Sequence, residues 1–70
     1  MAYQKNEDIK KALDEVYSVM TAKGYKTIDQ MTGFIVNNDP SYLSGSVRSA
    51  VRNFDVDEIV EELFHVYFDL

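Results

Sequence analysis

The sequence predicts an all-α fold, a compact bundle of four to five short helices. Apolar residues recur at helical spacing in four segments, and capping residues or glycines mark where most of those segments begin and end. Only the stretch at 33–36, GFIV, would by itself also fit a strand. We therefore expect residues 1–70 to form one helical domain in which residues 1–6 are flexible.

The first predicted helix begins near Asn6, a residue suited to the N-cap position, and Glu7 and Asp8 follow where the helix dipole favours acids. It ends at Lys23 and Gly24, since glycine readily adopts the left-handed conformation that stops a helix. One apolar face is expected to be buried, formed by Ile9, Leu13, Val16, Tyr17 and Met20.

The second predicted helix begins at Thr27, which with Gln30 has the spacing of a capping box. Its buried side is expected to consist of Ile28, Met31, Phe34 and Ile35. Gly33 lies inside this helix at a cost of about 1 kcal/mol relative to alanine. A glycine inside a helix despite this cost indicates that another part of the chain packs closely against position 33. The stretch at 37–40, NNDP, closes the segment.

A third, short helix is predicted to begin at Ser46, after Ser44 and Gly45. Its apolar positions repeat with helical spacing, which favours burial on one side. The inward residues are expected to be Val47, Ala50, Val51 and Phe54.

The fourth predicted helix follows Asp55, which with Glu58 forms an acidic variant of the capping box. Its buried stripe is expected to be Ile59, Leu63, Val66, Tyr67 and Leu70. Phe64 and Phe68 lie one turn apart and off this stripe, so the helix has a second apolar face. A helix that is apolar on two sides usually has two neighbours, which favours dimer packing or a docked partner.

Size and charge limit the function. A 70-residue chain buries a modest core, and without cysteine it has no disulfide to stabilise it, so its 46% apolar content favours a homodimer. The net charge of −5 opposes binding to nucleic acid or to anionic membranes. No apolar run approaches the roughly 20 residues needed to span a bilayer. We expect a cytoplasmic protein.

Neither catalysis nor a cofactor is expected. The single histidine, His65, lies in the last helix without a cysteine or serine arrangement that would make it a general base. Glu58 and Glu62 lie one turn apart, but metal sites usually add ligands from a second element. The acids Asp57, Glu58, Glu61 and Glu62 are therefore interpreted as a solvated helix face.

Arg48 and Arg52, the two arginines of the chain, are the candidate partner-binding residues. Their i, i+4 spacing places them side by side, where two guanidinium groups would hold a carboxylate or a phosphate. Two alternatives remain open. The arginines would form an internal salt bridge to the acidic fourth helix, or they would pair with that helix across a dimer interface.

Several short motifs occur in a defined order. They are KGY at 23–25, QxxG at 30–33, DPxY at 39–42, RxxxR at 48–52 and DEIVEEL at 57–63. In this order they resemble the IreB family of small regulatory phosphoproteins from Gram-positive bacteria, over residues 13–67.

The resemblance implies a compact helical homodimer that regulates cell-envelope homeostasis or antibiotic resistance without being an enzyme. It also implies a membrane Ser/Thr kinase with extracellular PASTA repeats that phosphorylates a threonine before the first helix. The implied partner is a proteolytic adaptor or an envelope enzyme. Arg48 and Arg52 carry over as part of the regulatory surface.

The chain departs from the family pattern in three places. Its first residues, MAYQKNED, contain no serine or threonine, so the usual phosphorylation site has no acceptor and the site stays unassigned. The loop between Tyr42 and Arg48 is about two residues shorter than in the family pattern, and Thr27 stands where proline is common.

A rival function is a small DNA-binding transcriptional regulator whose third helix enters a groove of the DNA. The net charge opposes it.

Overall fold

The structure, a computed structural model, describes residues 6–69 and is built from helices joined by short turns. Helix α1 spans Glu7–Ala22, α2 spans Thr27–Asn37, α3 spans Arg48–Val51 and α4 spans Val56–Phe68. Two 3₁₀ turns, Pro40–Tyr42 and Gly45–Val47, connect α2 to α3. Residues 6–69 contain no strand, and the predicted all-α fold is confirmed. The homodimer stays a prediction.

Helix α1 begins and ends where the sequence predicts. The Asn6 side chain accepts hydrogen bonds from the backbone N–H groups of Asp8 and Ile9, at 3.0 and 3.3 Å. At the other end Gly24 has a φ of +85°, a left-handed conformation that few other residues adopt without strain. Of the predicted flexible residues 1–6, residues 1–5 lie outside the described residues and Asn6 is the N-cap of α1.

Helix α1 forms the centre of the fold, because α2, α3, α4 and the second 3₁₀ turn all pack against it. Side chains from every α-helix, together with Leu43 and Val47 from the connecting segment, meet in one core. The buried core residues are Ile9, Val16, Met20, Phe34, Leu43, Val47, Val51 and Ile59.

The predicted capping box at the start of α2 is wrong. Lys26 occupies the N-cap position, so Thr27 lies one residue too far into the helix to cap it. The Thr27 hydroxyl is instead buried, 2.9 Å from the Thr21 hydroxyl, and it also donates to the carbonyl of Tyr25 at 3.3 Å. Gln30 donates from its Nε2 to the carbonyl of Tyr42 at 2.9 Å, which ties α2 to the loop that follows.

Gly33 is a close-packing point, as predicted, because the aromatic ring of Tyr42 lies directly against it. The same tyrosine accepts a hydrogen bond at its hydroxyl from Asn37 Nδ2, at 3.0 Å. Helix α2 then ends at Asn38, which has a left-handed φ of +50°. The first 3₁₀ turn is thereby fixed against α2.

The third helix differs from its prediction at its start. A 3₁₀ turn occupies Gly45–Val47, and α-helical geometry begins only at Arg48. The predicted inward residues nevertheless face the core, since Val47 and Val51 are buried and Ala50 and Phe54 pack against them.

The capping box of α4 is confirmed, with the Asp55 N–H donating to the Glu58 carboxylate at 3.1 Å. The predicted buried stripe is largely wrong. Ile59 is buried, but Leu63, Val66 and Tyr67 are 45%, 51% and 80% exposed, and Leu70 lies outside the described residues. Only the first two turns of α4 supply buried side chains, Ile59 and Glu62.

Two other apolar residues predicted to be inward are exposed. Tyr17 on α1 is 50% exposed and Ile28 on α2 is 65% exposed. Both lie at helical spacing from true core residues, so periodicity alone includes them in the buried face although no described neighbour covers them.

Candidate protein-binding surfaces

Arg48 clamps the loop that precedes its helix. Its Nε donates to the carbonyl oxygens of Pro40 and Leu43, at 3.2 and 3.1 Å. Within residues 6–69 its two terminal amino groups have no hydrogen-bond acceptor. Arg48 thus has a structural role through Nε and retains terminal N–H donors that no described residue uses.

Arg52 lies just beyond α3, at its C-cap position, and is exposed. Both arginines line one shallow cleft of about 450 Å³, whose rim also includes Asn38 and Pro40. The two candidate partner-binding residues therefore line the same cleft. The floor of the cleft is apolar, with Phe34, Val51, Phe54 and Val56.

The predicted internal salt bridge between the arginines and α4 is absent from the described part of the chain. Among residues 6–69 no carboxylate lies within 4.0 Å of either guanidinium. Helix α3 packs chiefly on α1. Pairing across a dimer interface stays a prediction.

Asp39 adds a negative charge near this arginine cleft. Its carboxylate accepts a hydrogen bond from the Ser41 backbone N–H at 2.9 Å. That bond, then the Ser41 hydroxyl, and then the positive charge of Arg48 lower the pKa of Asp39 from its usual 3.8. The Arg48 end of the cleft is thus partly neutralised.

A second surface is an apolar groove of about 300 Å³. Its rim carries Ile28 and Val36 from α2 and Leu63 from α4, which are 65%, 76% and 45% exposed. The remaining lining is Leu13, Met31, Thr32, Phe34, Ile35 and Ile59. A recess lined almost entirely by apolar side chains, several of them exposed, is typical of an interaction site.

The end of α4 carries three exposed aromatic side chains. The Tyr67 and Phe68 rings meet edge to face with centroids 4.9 Å apart, and the Phe64 and Phe68 centroids are 6.3 Å apart. The predicted second apolar face of α4 is therefore present. In the described residues no other side chain buries it.

The acidic side chains of α4 divide into two groups. Asp57, Glu58 and Glu61 are exposed, as predicted. Glu62 is 2% exposed, so its placement on a solvated face is wrong, and its Oε1 accepts a hydrogen bond from the Asn6 N–H at 3.0 Å. His65, partly exposed, lies 3.9 Å from Glu61.

Residues 6–69 contain no group of three His, Asp or Glu side chains placed to hold a metal ion. Nor does any helix in this range have the length and apolar character needed to span a membrane. The rival prediction of DNA binding is not favoured by the fold, because α3, Arg48–Val51, is a single turn and too short to act as a recognition helix.

The family model described as "IreB regulatory phosphoprotein" matches residues 1–69 of the chain. The chain belongs to the IreB family. A relative called "UPF0297 protein", from Lachnoclostridium phytofermentans, is 40% identical over 63 residues, which cover 87% of this chain and 72% of the relative.

In this IreB family member, several motif residues that the sequence singled out hold the scaffold together. Gly24 ends α1, Gly33 receives the Tyr42 ring, and Asp39 caps the first 3₁₀ turn. Arg48 differs from them because it is both a loop clamp and an exposed cation.

Sequence reasoning missed the contacts of Lys23 and the burial of Glu62. The Lys23 ammonium donates to the Ser46 hydroxyl at 2.9 Å and to the Ser44 hydroxyl at 3.4 Å, and no local pattern links residues so far apart in the chain. For Glu62 a signal existed, because it follows Ile59 by three residues and so lies on the same helix face.

Proposed function

We propose that this IreB family member is a non-enzymatic regulatory protein of the cytoplasm. It acts through protein–protein contacts, downstream of a Ser/Thr kinase, on cell-envelope homeostasis or antibiotic resistance. The observation that carries the proposal is the exposed Arg48 and Arg52 pair, held on the wall of one cleft with no carboxylate partner in the described residues.

The arginine cleft suits an acidic segment of a protein partner. Arg48 presents two terminal amino groups because its Nε is occupied by the loop carbonyls. Arg52 presents its whole guanidinium, and planar guanidinium groups bind carboxylates in a bidentate manner. The partner proposed is a proteolytic adaptor or an envelope enzyme that inserts an Asp or Glu side chain between the two arginines.

The apolar groove is assigned to a second copy of the chain. Its rim residues Ile28, Val36 and Leu63 are large, apolar and exposed, whereas the arginine cleft is charged. Homodimers commonly bury such self-complementary apolar patches. One surface of the chain thus serves self-association and leaves the other for the partner.

Capture of the partner tests the arginine cleft. An Arg52→Ala variant, immobilised and exposed to a lysate of the host, is expected to lose most of the proteins that the wild type retains, as read by mass spectrometry. Arg52→Lys should retain part of the binding, because it keeps the charge and loses the planar fork. Lys26→Ala, an exposed cation outside the cleft, is the matched control. Equal capture by Arg52→Ala and the wild type would refute the proposal.

Sedimentation tests the groove. The wild type is expected to sediment as a dimer and Leu63→Glu as a monomer, since a charge in an apolar interface is costly to bury. Tyr17→Glu changes an exposed aromatic residue of α1 that does not line the groove and should remain dimeric. A monomeric wild type would refute the assignment of the groove to a second copy.

A deletion strain tests the cellular role. Loss of the protein should change the susceptibility of the host to cephalosporins, and the wild-type chain should restore it. If the Arg52→Ala variant restored the susceptibility at the same level of expression, the cellular role would not depend on the arginine cleft.

A further inference from the structure

Ser46 lies in an exposed cluster of hydroxyl and ammonium groups that the arginine cleft and the apolar groove do not use. Its Oγ is 2.9 Å from the Lys23 Nζ and 3.1 Å from the Ser44 Oγ. Arg48 lies close by, since its Nη1 is 3.9 Å from the position that a β-carbon on Gly45 would occupy. A nucleophilic oxygen is thus held at the surface beside one cation, Lys23, and a second cation, Arg48, lies against the preceding residue.

The other serine and threonine hydroxyl groups of the described chain are poor positions for a phosphate. Thr27 and Ser44 are buried, and the Thr21 hydroxyl is paired with that of Thr27. The Thr32 hydroxyl donates to the Ile28 carbonyl at 2.8 Å and Thr32 lines the apolar groove, where a doubly charged group would meet apolar side chains.

Three further serines are exposed, yet none touches a cation in residues 6–69. Ser41 lies beside the Asp39 carboxylate, which would repel a phosphate. Ser18 follows Asp14 by four residues on α1 and meets the same repulsion. Ser49 has no hydrogen bond to a cation. By charge and access, Ser46 differs from every other serine or threonine hydroxyl in the described residues.

We propose that Ser46 is a phosphorylation site whose phosphate is held by Lys23 and Arg48. The proposal rests on the proposed function and specifies its regulation. In the transfer step the Ser46 Oγ attacks the γ-phosphorus of a nucleoside triphosphate bound to a protein kinase. The bond from that phosphorus to the β-phosphate oxygen breaks, the hydroxyl proton passes to a base of the kinase, and a nucleoside diphosphate leaves.

The phosphate has two consequences. It links the end of α1, at Lys23, to the turn that precedes α3 by charge-assisted hydrogen bonds, which stabilise the fold. It also engages the terminal amino groups of Arg48, which the unphosphorylated chain offers to a partner. Phosphorylation of Ser46 therefore weakens partner capture by the arginine cleft.

Site-specific incorporation of phosphoserine tests the recognition. Phosphoserine at position 46 should raise the melting temperature by about 4 °C or more, which corresponds to one or two new charged hydrogen bonds in a domain of this size. The same change at position 49 is the matched control and should raise it much less. The gain at 46 should disappear in Lys23→Met, which keeps the length of the side chain and removes its charge. A lower melting temperature, or a gain that persists in Lys23→Met, would overturn the proposal.

Phosphopeptide mapping of the chain purified from its host tests whether the site is used. Phosphate on Ser46, absent from a Ser46→Ala strain, is the expected result. Phosphate only on another residue, or none during growth and envelope stress, would overturn the proposal. Partner capture by the unphosphorylated Ser46→Ala chain is measured in parallel, so that failure of the phosphorylation site is distinguished from failure of the proposed function.

Discussion

The Tyr42 ring packs on Gly33 so closely that a β-carbon at position 33 would overlap its Cδ1 and Cε1 atoms. Gly33→Ala should therefore lower the free energy of unfolding by about 1–3 kcal/mol through overpacking. Elsewhere in a helix the same change usually raises it, by about 1 kcal/mol. Urea denaturation measures the difference.

Gly45→Ala is the control for this contact, because a β-carbon there meets only the mobile end of Arg48 at 3.9 Å. Its unfolding free energy should stay within about 0.5 kcal/mol of the wild type. Adding Tyr42→Ala to Gly33→Ala should make the alanine at 33 much less harmful than it is in the wild-type background. A Gly33→Ala variant as stable as Gly45→Ala would show that the ring moves aside at no cost.

Glu62 anchors the start of α1 across the sequence. Glu62→Ala removes the acceptor of the Asn6 N–H and leaves a void in a position that is 2% exposed. A loss of about 1–3 kcal/mol in unfolding free energy is expected, together with faster hydrogen exchange at the Asn6 amide. The exposed neighbour Glu61→Ala should change neither quantity appreciably, and equal losses in the two variants would contradict the anchor.

Arg48 and Arg52 should differ in stability although both are exposed. Arg48→Ala removes two hydrogen bonds from a charged donor to the Pro40 and Leu43 carbonyls and should cost about 1–3 kcal/mol. Arg52→Ala removes no hydrogen bond within residues 6–69 and should be close to neutral. Thermal denaturation monitored by circular dichroism compares the stability of the two variants with that of the wild type. If Arg52→Ala proved the more destabilising, Arg48 would not be the clamp of the loop.

Asp39 should give the fold a measurable dependence on pH. Its pKa in the folded chain is lowered, chiefly by the Ser41 N–H, so the carboxylate stabilises the fold above the usual pKa of 3.8. That stabilisation is lost as the pH falls through the lower folded value. Asp39→Asn preserves the cap and removes the charge, so it should be less stable than the wild type at pH 6 and equal to it near pH 2.

Glu15→Gln is the control for the pH series. Glu15 lies in the middle of α1, is exposed, and its side chain has no hydrogen bond in the described residues. Its stability should run parallel to that of the wild type over the same range. A deficit of Asp39→Asn that stayed constant down to pH 2 would mean that the charge of Asp39 does not contribute.

Local signals predicted the helix ends well, because their causes lie within a few residues. Asn6 and Asp55 cap as expected, since their partners are the next backbone N–H groups or the residue three positions on. Thr27 has the same spacing to Gln30 but does not cap. Its hydroxyl finds Thr21 and Gln30 reaches Tyr42, two partners that only the folded chain brings near.

Periodicity identified the apolar faces but not their extent of burial. The stripe of α4 continues through Leu63 and Val66, although the buried positions of that helix end at Glu62. Burial depends on what lies opposite, which periodicity does not contain. For the candidate site, spacing alone predicted that Arg48 and Arg52 are neighbours. The contacts of Arg48 with the Pro40 and Leu43 carbonyls could not be predicted in this way, because they depend on the path of the loop in the folded chain.

The uncovered final turns of α4 have a consequence for how the protein is maintained in the cell. A lone copy exposes Phe64, Tyr67 and Phe68, the kind of apolar surface that chaperones and proteases recognise. A bound copy or partner that covers this end would protect it by mass action. The lifetime of the polypeptide should then rise with its own abundance, so that scarce molecules are removed and paired ones persist.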